Sequence, residues 1–339
     1  MTSKRAVGVV FIHGLAKKPS PSKLEQIWLW GLGVDNPRPD VFPSPNPGVP
    51  LSDEGVPFRL TYYADVFYGT DYETDLESYY EGGPDAGPPA GLRVAEPGRP
   101  ATTGAPGRET DFLEAFEAQM RVGAVLKHPR DASQAPPPAA TAPGHPSEYE
   151  IAAWLPESVK ETIIKKAAME AYYFLFNKLY TRRDGVTFQV RDELRRRLLA
   201  DLTALAEQAS SLVVVSHSMG TMLAYDVLRN CDTCPRVDTL ITLGSPLGIT
   251  EVQDELRPSG AMQVDFPASR LGRWVNVYDP LDPVCGADPQ LNNDYVPVDG
   301  RSVEDVKESN WGSWRHTITH YLAGSRLRQH LRDAVRLGA

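Results

Sequence analysis

Val213-Val214-Val215-Ser216-His217-Ser218-Met219-Gly220 joins a β-branched run to a helical pattern that continues to Arg229. Consecutive valines describe a strand buried on both faces, as in a parallel sheet covered by helices. The period changes from strand to helix across Ser216–Gly220, so the chain must turn sharply where the strand ends. Ser218 then stands at the tip of the turn, and the residues two positions away must be small for strand and helix to pass closely. Ser216 and Gly220 meet that requirement, with serine where a glycine is more usual. A blander reading has Ser216 and Ser218 serve only as helix N-caps, a position that favours serine.

Outward from this segment, strands and helices alternate. Residues 6–12 (AVGVVFI) read as a second buried strand, followed by helical spacing from Ser22 to Leu32 and a strand near Phe58 to Ala64. Beyond Gly185 come a helix from Gln189 to Gln208, the strand Leu212 to Ser216, and a strand from Val237 to Leu243. A strand from Trp274 to Tyr278, a short one near Tyr295 to Val298 and a terminal helix from Tyr321 to Val335 complete the pattern. Such alternation predicts an α/β fold, a mostly parallel sheet of about six strands with helices on both faces. Residues 1–69 and 186–339 form its core. Residues 70–185 are rich in Pro and Gly around two helical patterns, Asp111 to Leu126 and Pro156 to Thr181, and read as a cap or lid insertion. The second of these helices is too apolar to stand alone in water.

Composition narrows the function. With 339 residues, 41% of them hydrophobic, the chain is long enough to bury a large core. A formal net charge of -9 argues against nucleic acid as a partner. The cysteines are Cys231, Cys234 and Cys285, too few for a disulfide framework, which fits a reducing compartment and a cytoplasmic location. Cys231 and Cys234 make a lone CxxC without a second ligand pair, so no metal is expected. GxGxxG after the first strand, GxxxxGK[ST] and HExxH are all missing, and no cofactor is expected. The apolar run after Lys4 and Arg5 is too short for a signal peptide, and no stretch reaches the roughly 20 residues of a membrane span.

Four segments together resemble the α/β-hydrolase superfamily, in particular its lipases and esterases. They are His13-Gly14-Leu15, Ser216-His217-Ser218-Met219-Gly220, Thr242-Leu243-Gly244-Ser245-Pro246 and Tyr278-Asp279-Pro280-Leu281-Asp282-Pro283-Val284, each at the end of an expected strand. The resemblance implies Ser218 as nucleophile, His316 as general base and Asp282 as its acid, in the chain order Ser, acid, His. It implies an oxyanion hole from the backbone N–H groups of Leu15 and Met219, with His13 and Gly14 orienting that loop. Asp279 is the alternative acid and His320 the alternative base. Asp282 is preferred because Val284 follows at the family's spacing, and His316 because it shortly precedes Tyr321-Leu322. The implied activity is cleavage of a small-molecule or lipid carboxylic ester through an acyl-enzyme. Amidases, peptidases and thioesterases use the same triad, and non-catalytic binding proteins use the same fold. The tyrosines Tyr62, Tyr63, Tyr68, Tyr72, Tyr79 and Tyr80 suggest mixed polar and aromatic walls suited to short or medium acyl chains.

Overall fold

The apolar run near the N-terminus forms β1 (Arg5–Ile12), and α1 (Pro21–Gly33) follows with a proline in its first turn, where a missing N–H costs nothing. The computed structural model describes residues 5–14, 17–70, 107–126, 157–286, 288–311 and 315–337. Next come β2 (Phe58–Thr61), α2 (Ala64–Tyr68), α3 (Arg108–Leu126) and α4 (Glu157–Leu175). A hairpin of β3 (Leu179–Thr181) and β4 (Thr187–Gln189) leads into α5 (Val190–Ala206), β5 (Ala209–His217) and α6 (Met219–Asn230). The remainder is β6 (Val237–Leu243), α7 (Thr250–Leu256), β7 (Leu271–Tyr278), β8 (Val303–Lys307), α8 (Ile318–Ala323) and α9 (Ser325–Val335).

Among the described residues, six strands pair in parallel in the order β2-β1-β5-β6-β7-β8. The protein is therefore α/β, with the continuous apolar strands feeding alternate side chains into two cores. Val9, Phe11, Val213, Val215, Ile241 and Val275 pack under α1, α8 and α9. Val10, Ile12, Val214, Leu240 and Trp274 pack on the opposite face, in one cluster with buried residues of α3, α4, α5 and α6. Phe112, Phe116 and Met120 of α3 and Ala167, Ala168, Ala171 and Phe174 of α4 thus share the main core, although both helices lie within 70–185.

Chain order reverses at β1, which has β2 on one side and β5 on the other. In open parallel sheets such a switch leaves a crevice at the carboxyl ends of the strands that flank it, where ligands bind. The register Ile12–Ser216–Thr242–Asn276–Asp305 runs level across β1, β5, β6, β7 and β8. His13, Ser218, Gly244 and Asp279 lie just beyond that row.

Three elements differ from the sequence expectations. Residues 295–298 form only isolated bridges (Asp265 with Val296, Val298 with Arg301), and the sixth strand is β8. Its sequence VEDVK lacks an apolar run because an edge strand pairs on one side and faces water on the other. The helix expected to reach Thr181 stops at Leu175, because Asn177 takes φ 47° and the Lys178 and Asn177 N–H groups fold back onto the Tyr173 and Phe174 carbonyls. Asparagine is the usual substitute for glycine in this cap. The terminal helix breaks at Gly324, and Arg328, 1% exposed, fills the break by donating to the carbonyls of Leu322, Gly31 and Val34.

The CxxC closes α6: Cys231 caps its end, Cys234 is buried with its thiol pushed up to about 12 by burial, and both are free. Among the described residues no group of three His, Cys, Asp or Glu side chains is placed to hold a metal ion, and no helix is long and apolar enough to cross a membrane.

Asp226 of α6 ties the helical layer together. Its carboxylate is wholly buried and accepts from Arg191 (2.6 and 3.0 Å), Arg195 (2.6 and 2.7 Å) and Asn230 (2.9 Å). Arg191 also donates to the Leu175 carbonyl at the end of α4, so one charge couples α4, α5 and α6. Burial alone would raise the Asp226 pKa, but the two guanidinium groups more than offset it and hold it below the usual carboxylate value. A depressed folded pKa means that this stabilisation is present above the unfolded value of about 3.9 and is lost as pH falls through the folded one. Asp226→Asn should cost about 3 kcal/mol in chemical denaturation at neutral pH, and the gap from the parent chain should narrow as the pH is lowered below about 4.

Candidate active site

At the end of β5 the chain makes the turn that the sequence required. Ser218 has φ 56° and ψ -130°, a region that costs a non-glycine residue about 1–3 kcal/mol. The ladder to β6 continues into the turn, with Ser218 N–H donating to the Leu243 carbonyl at 3.0 Å. Thr221 donates its hydroxyl proton to the Ser218 carbonyl at 2.7 Å, so the Ser245 hydroxyl, 2.8 Å away, must donate to Thr221. Gly220 is where helix and sheet cross: a Cβ there would lie 2.6 Å from the His13 carbonyl oxygen and 2.9 Å from that of Ile12. Ser216, in contrast, fits, with its hydroxyl 3.4 Å from the Ile241 carbonyl. Ser218 Oγ is buried and has no hydrogen-bond partner among the described residues, an arrangement that calls for an explanation beyond helix capping.

His13 is fixed as a neutral tautomer. Nδ1 donates to the Gly14 carbonyl at 2.7 Å, and Nε2 accepts the Tyr63 N–H at 3.0 Å. The Tyr63 hydroxyl returns a bond to the His13 carbonyl at 2.6 Å, and the two rings stack at 4.0 Å. Nδ1 thus bonds the loop after β1, and Nε2 bonds the segment after β2. Leu15 lies outside the described residues. Met219 opens α6, where backbone N–H groups have no partner one turn back and point outward as donors.

The structure brings Asp282 and His316 together. His316 Nδ1 lies 3.0 and 2.9 Å from the two carboxylate oxygens, and carboxylate and imidazole are 0% and 4% exposed. With Nδ1 committed as donor, the basic lone pair of the neutral ring is on Nε2. Asp282 also accepts the Val284 N–H (2.9 Å) and the Tyr321 hydroxyl (2.7 Å). Burial pushes its carboxyl up, but His316, Tyr321 and the Val284 N–H outweigh that and hold it below the usual range, hence ionised.

His316 lies beside the serine turn from two sides. The His217 ring stacks on it at 4.5 Å and donates from Nε2 to its carbonyl at 2.9 Å. Gly244, at φ 52°, brings bare backbone against the pair: a Cβ there would sit 2.7 Å from Asp282 Oδ2 and 3.0 Å from His316 Nδ1.

The two alternatives are placed elsewhere. Asp279 holds the loop, accepting from Leu281 N–H (2.7 Å), Asn310 N–H (2.7 Å) and Arg315 (3.3 Å). Burial raises its pKa against these bonds. His320 is buried with its ring on Trp311 at 3.6 Å. Among the tyrosines, Tyr62, Tyr63 and Tyr68 turn their hydroxyls to protein partners, Tyr68 to Glu170 at 2.6 Å, while Tyr72, Tyr79 and Tyr80 lie outside the described residues.

Sequence reasoning missed the roles of Gly244 and Tyr321. A glycine ahead of Ser245-Pro246 signalled a turn, but which side chains would fill the space left by its missing Cβ depends on β7 and the 315–321 segment. It also missed the polar row beneath the site, where Trp274 Nε1 donates to Thr242, Thr242 to Asn276, and Asn276 to Asp305. Thr242 and Asn276 read in sequence as isolated polar residues among apolar ones.

No protein-family model matches the chain, and comparison with curated proteins gives no significant relative.

Gly244→Ala should displace the Asp282–His316 pair. A control is Gly300→Ala, at φ 72° with nothing within 4 Å, which carries the left-handed penalty of about 1–2 kcal/mol without the clash. The expected result is loss of the low-field His316 Nδ1 proton resonance in Gly244→Ala only.

Proposed function

We propose that this protein is a serine hydrolase of the α/β-hydrolase kind that cleaves carboxylic esters through an acyl-enzyme. One observation carries the reading: at the switch point of a parallel sheet stands a strained, buried serine without a hydrogen-bond partner among the described residues, and its neighbour His217 stacks on a histidine whose Nδ1 is held by a buried carboxylate. A structural serine has no need of φ 56° when a glycine would adopt it freely.

In this mechanism Asp282 fixes the His316 tautomer and stabilises the imidazolium that forms. Ser218 Oγ attacks the ester carbonyl carbon as its proton passes to His316 Nε2. The carbonyl oxygen becomes an oxyanion, received by the Met219 N–H and, as the resemblance implies, that of Leu15; one such donor is worth about 3–4 kcal/mol in the transition state. Collapse breaks the bond to the alcohol, which takes the proton from Nε2. Water then attacks the acyl-enzyme with the same base, releasing a carboxylate and restoring Ser218.

Of residues 70–185, expected to form a cap, 71–106 and 127–156 lie outside the described residues; α3 and α4 act in this reading as the covering part. Supporting it, α3 packs on the turn Pro283–Cys285 directly after Asp282, while Tyr68 of α2 bonds Glu170 of α4 on the β2 side. Ser218 has no solvent exposure, so substrate must enter past covering elements.

Ser218→Ala should lower hydrolysis of p-nitrophenyl butyrate on the order of 10⁴-fold or more, with an unchanged circular-dichroism melt. An alanine variant as active as the parent would refute the proposal. Slow turnover of the matching anilide by the parent chain would place esters ahead of amides.

A further inference from the structure

The proposed chemistry uses Asp282 and His316 but gives no role to the buried hydroxyl that touches the carboxylate. We infer that Tyr321 is a positioning residue for that pair: its hydroxyl fixes the plane of the Asp282 carboxylate and withholds part of its charge from His316. The inference rests on the hydrolase reading for its catalytic consequence, though not for its effect on the imidazole.

The direction of the bond is determined by its surroundings. Tyr321 Oη accepts the backbone N–H of Asp279 at 3.3 Å, and its own proton is therefore directed to Asp282 Oδ2 at 2.7 Å. Tyr321 is completely buried, and burial together with the Asp282 charge pushes its phenol pKa well above the ordinary value, so it stays a donor across the working pH range. Asp282 Oδ1 is tied in turn by the Val284 N–H at 2.9 Å. Each carboxylate oxygen thus has a donor of its own besides the imidazole, and the group cannot rotate about its Cβ–Cγ bond without breaking one.

The phenol itself is anchored. Tyr321 rides on α8, whose last carbonyls are held by Arg328 (Leu322 O, 2.8 Å) and Asn46 (Ala323 O, 2.8 Å). Its ring lies 5.8 Å from that of His217, which stacks on His316. A tyrosine that merely needed a partner in the core could use any carbonyl. This one spans from the first residue of the Asp279–Asp282 turn to the last, and so sets the turn on which the acid stands.

Removing the hydroxyl concentrates negative charge on Asp282 and favours the charged imidazole. His316 should become more basic, which moves the acidic limb of kcat/KM to higher pH. The titratable and charged groups facing the pair are Tyr321 and His217 in contact, with Asp279, Cys285, Arg315 and Glu308 behind them. Of these, Tyr321→Phe alters Tyr321 alone.

The test compares the parent, Tyr321→Phe and a chain carrying 3-fluorotyrosine at position 321, a more acidic phenol and a stronger donor. His316 is titrated by ¹⁵N NMR, and kcat/KM for p-nitrophenyl butyrate is followed against pH. Tyr321→Phe should lose about tenfold in kcat/KM at neutral pH, mostly in kcat. Its His316 midpoint and acidic limb should move up by about half a unit, with the fluorinated chain moving the other way. An unmoved His316 midpoint in both altered chains overturns the inference, whatever happens to the melting temperature. If Tyr321→Phe does not fold, the fluorinated chain decides alone. Ser218→Ala, run alongside, separates the two claims: full activity there refutes the hydrolase reading, while the NMR titration still judges Tyr321.

Discussion

The fold around the site depends on one crossing, the start of α6 against the end of β1. Gly220 lies so close to the carbonyls of Ile12 and His13 that a single added carbon would collide with them. Strand, turn and helix are therefore locked in one geometry, and Ser218 is left at φ 56°, where only surrounding structure can keep it. That structure is the pair of ladders on either side of β5 and the Thr221 and Ser245 hydroxyls beneath the turn. In the proposed mechanism the strain is stored where a nucleophile needs its oxygen held away from the backbone.

A second constraint is electrostatic. Asp282 is a fully buried carboxylate, which only a dense set of donors makes tolerable. His316 supplies one, and the Val284 N–H and Tyr321 supply the others. Gly244 leaves the volume these groups occupy. The three loops after β5, β6 and β7 thus each contribute a distinct element: a hydroxyl on a strained turn, an empty position and a buried charge. None of them does anything alone, and the sheet register brings them level.

Much of this was legible in the chain. The valines of β5 and the run 6–12 announced buried parallel strands, and Ser216–Gly220 announced a close turn, because both follow from local sequence. Asp282 was preferred to Asp279 on the spacing of the family the chain resembles; in the structure the Asp282 carboxylate meets His316, while Asp279 accepts the N–H groups of Leu281 and Asn310. Elements with weak local signals were misread. β8 is an edge strand whose VEDVK pattern resembles a loop, and α4 stops at an asparagine that takes a glycine's conformation. Tyr321 looked like the opening of a helix, since the sequence does not record that its hydroxyl meets a residue 39 positions earlier. The sharing of one core by α3, α4 and the sheet likewise rests on contacts between distant segments.

The central claim is that Ser218 is a nucleophile activated by His316. Intact-mass spectrometry after exposure of the parent chain to a fluorophosphonate, followed by peptide mapping, addresses it without assuming a substrate. The account predicts a single phosphonyl adduct on the peptide that contains Ser218, forming faster as pH rises through the titration of His316. An unmodified chain, or an adduct on another serine, would contradict it.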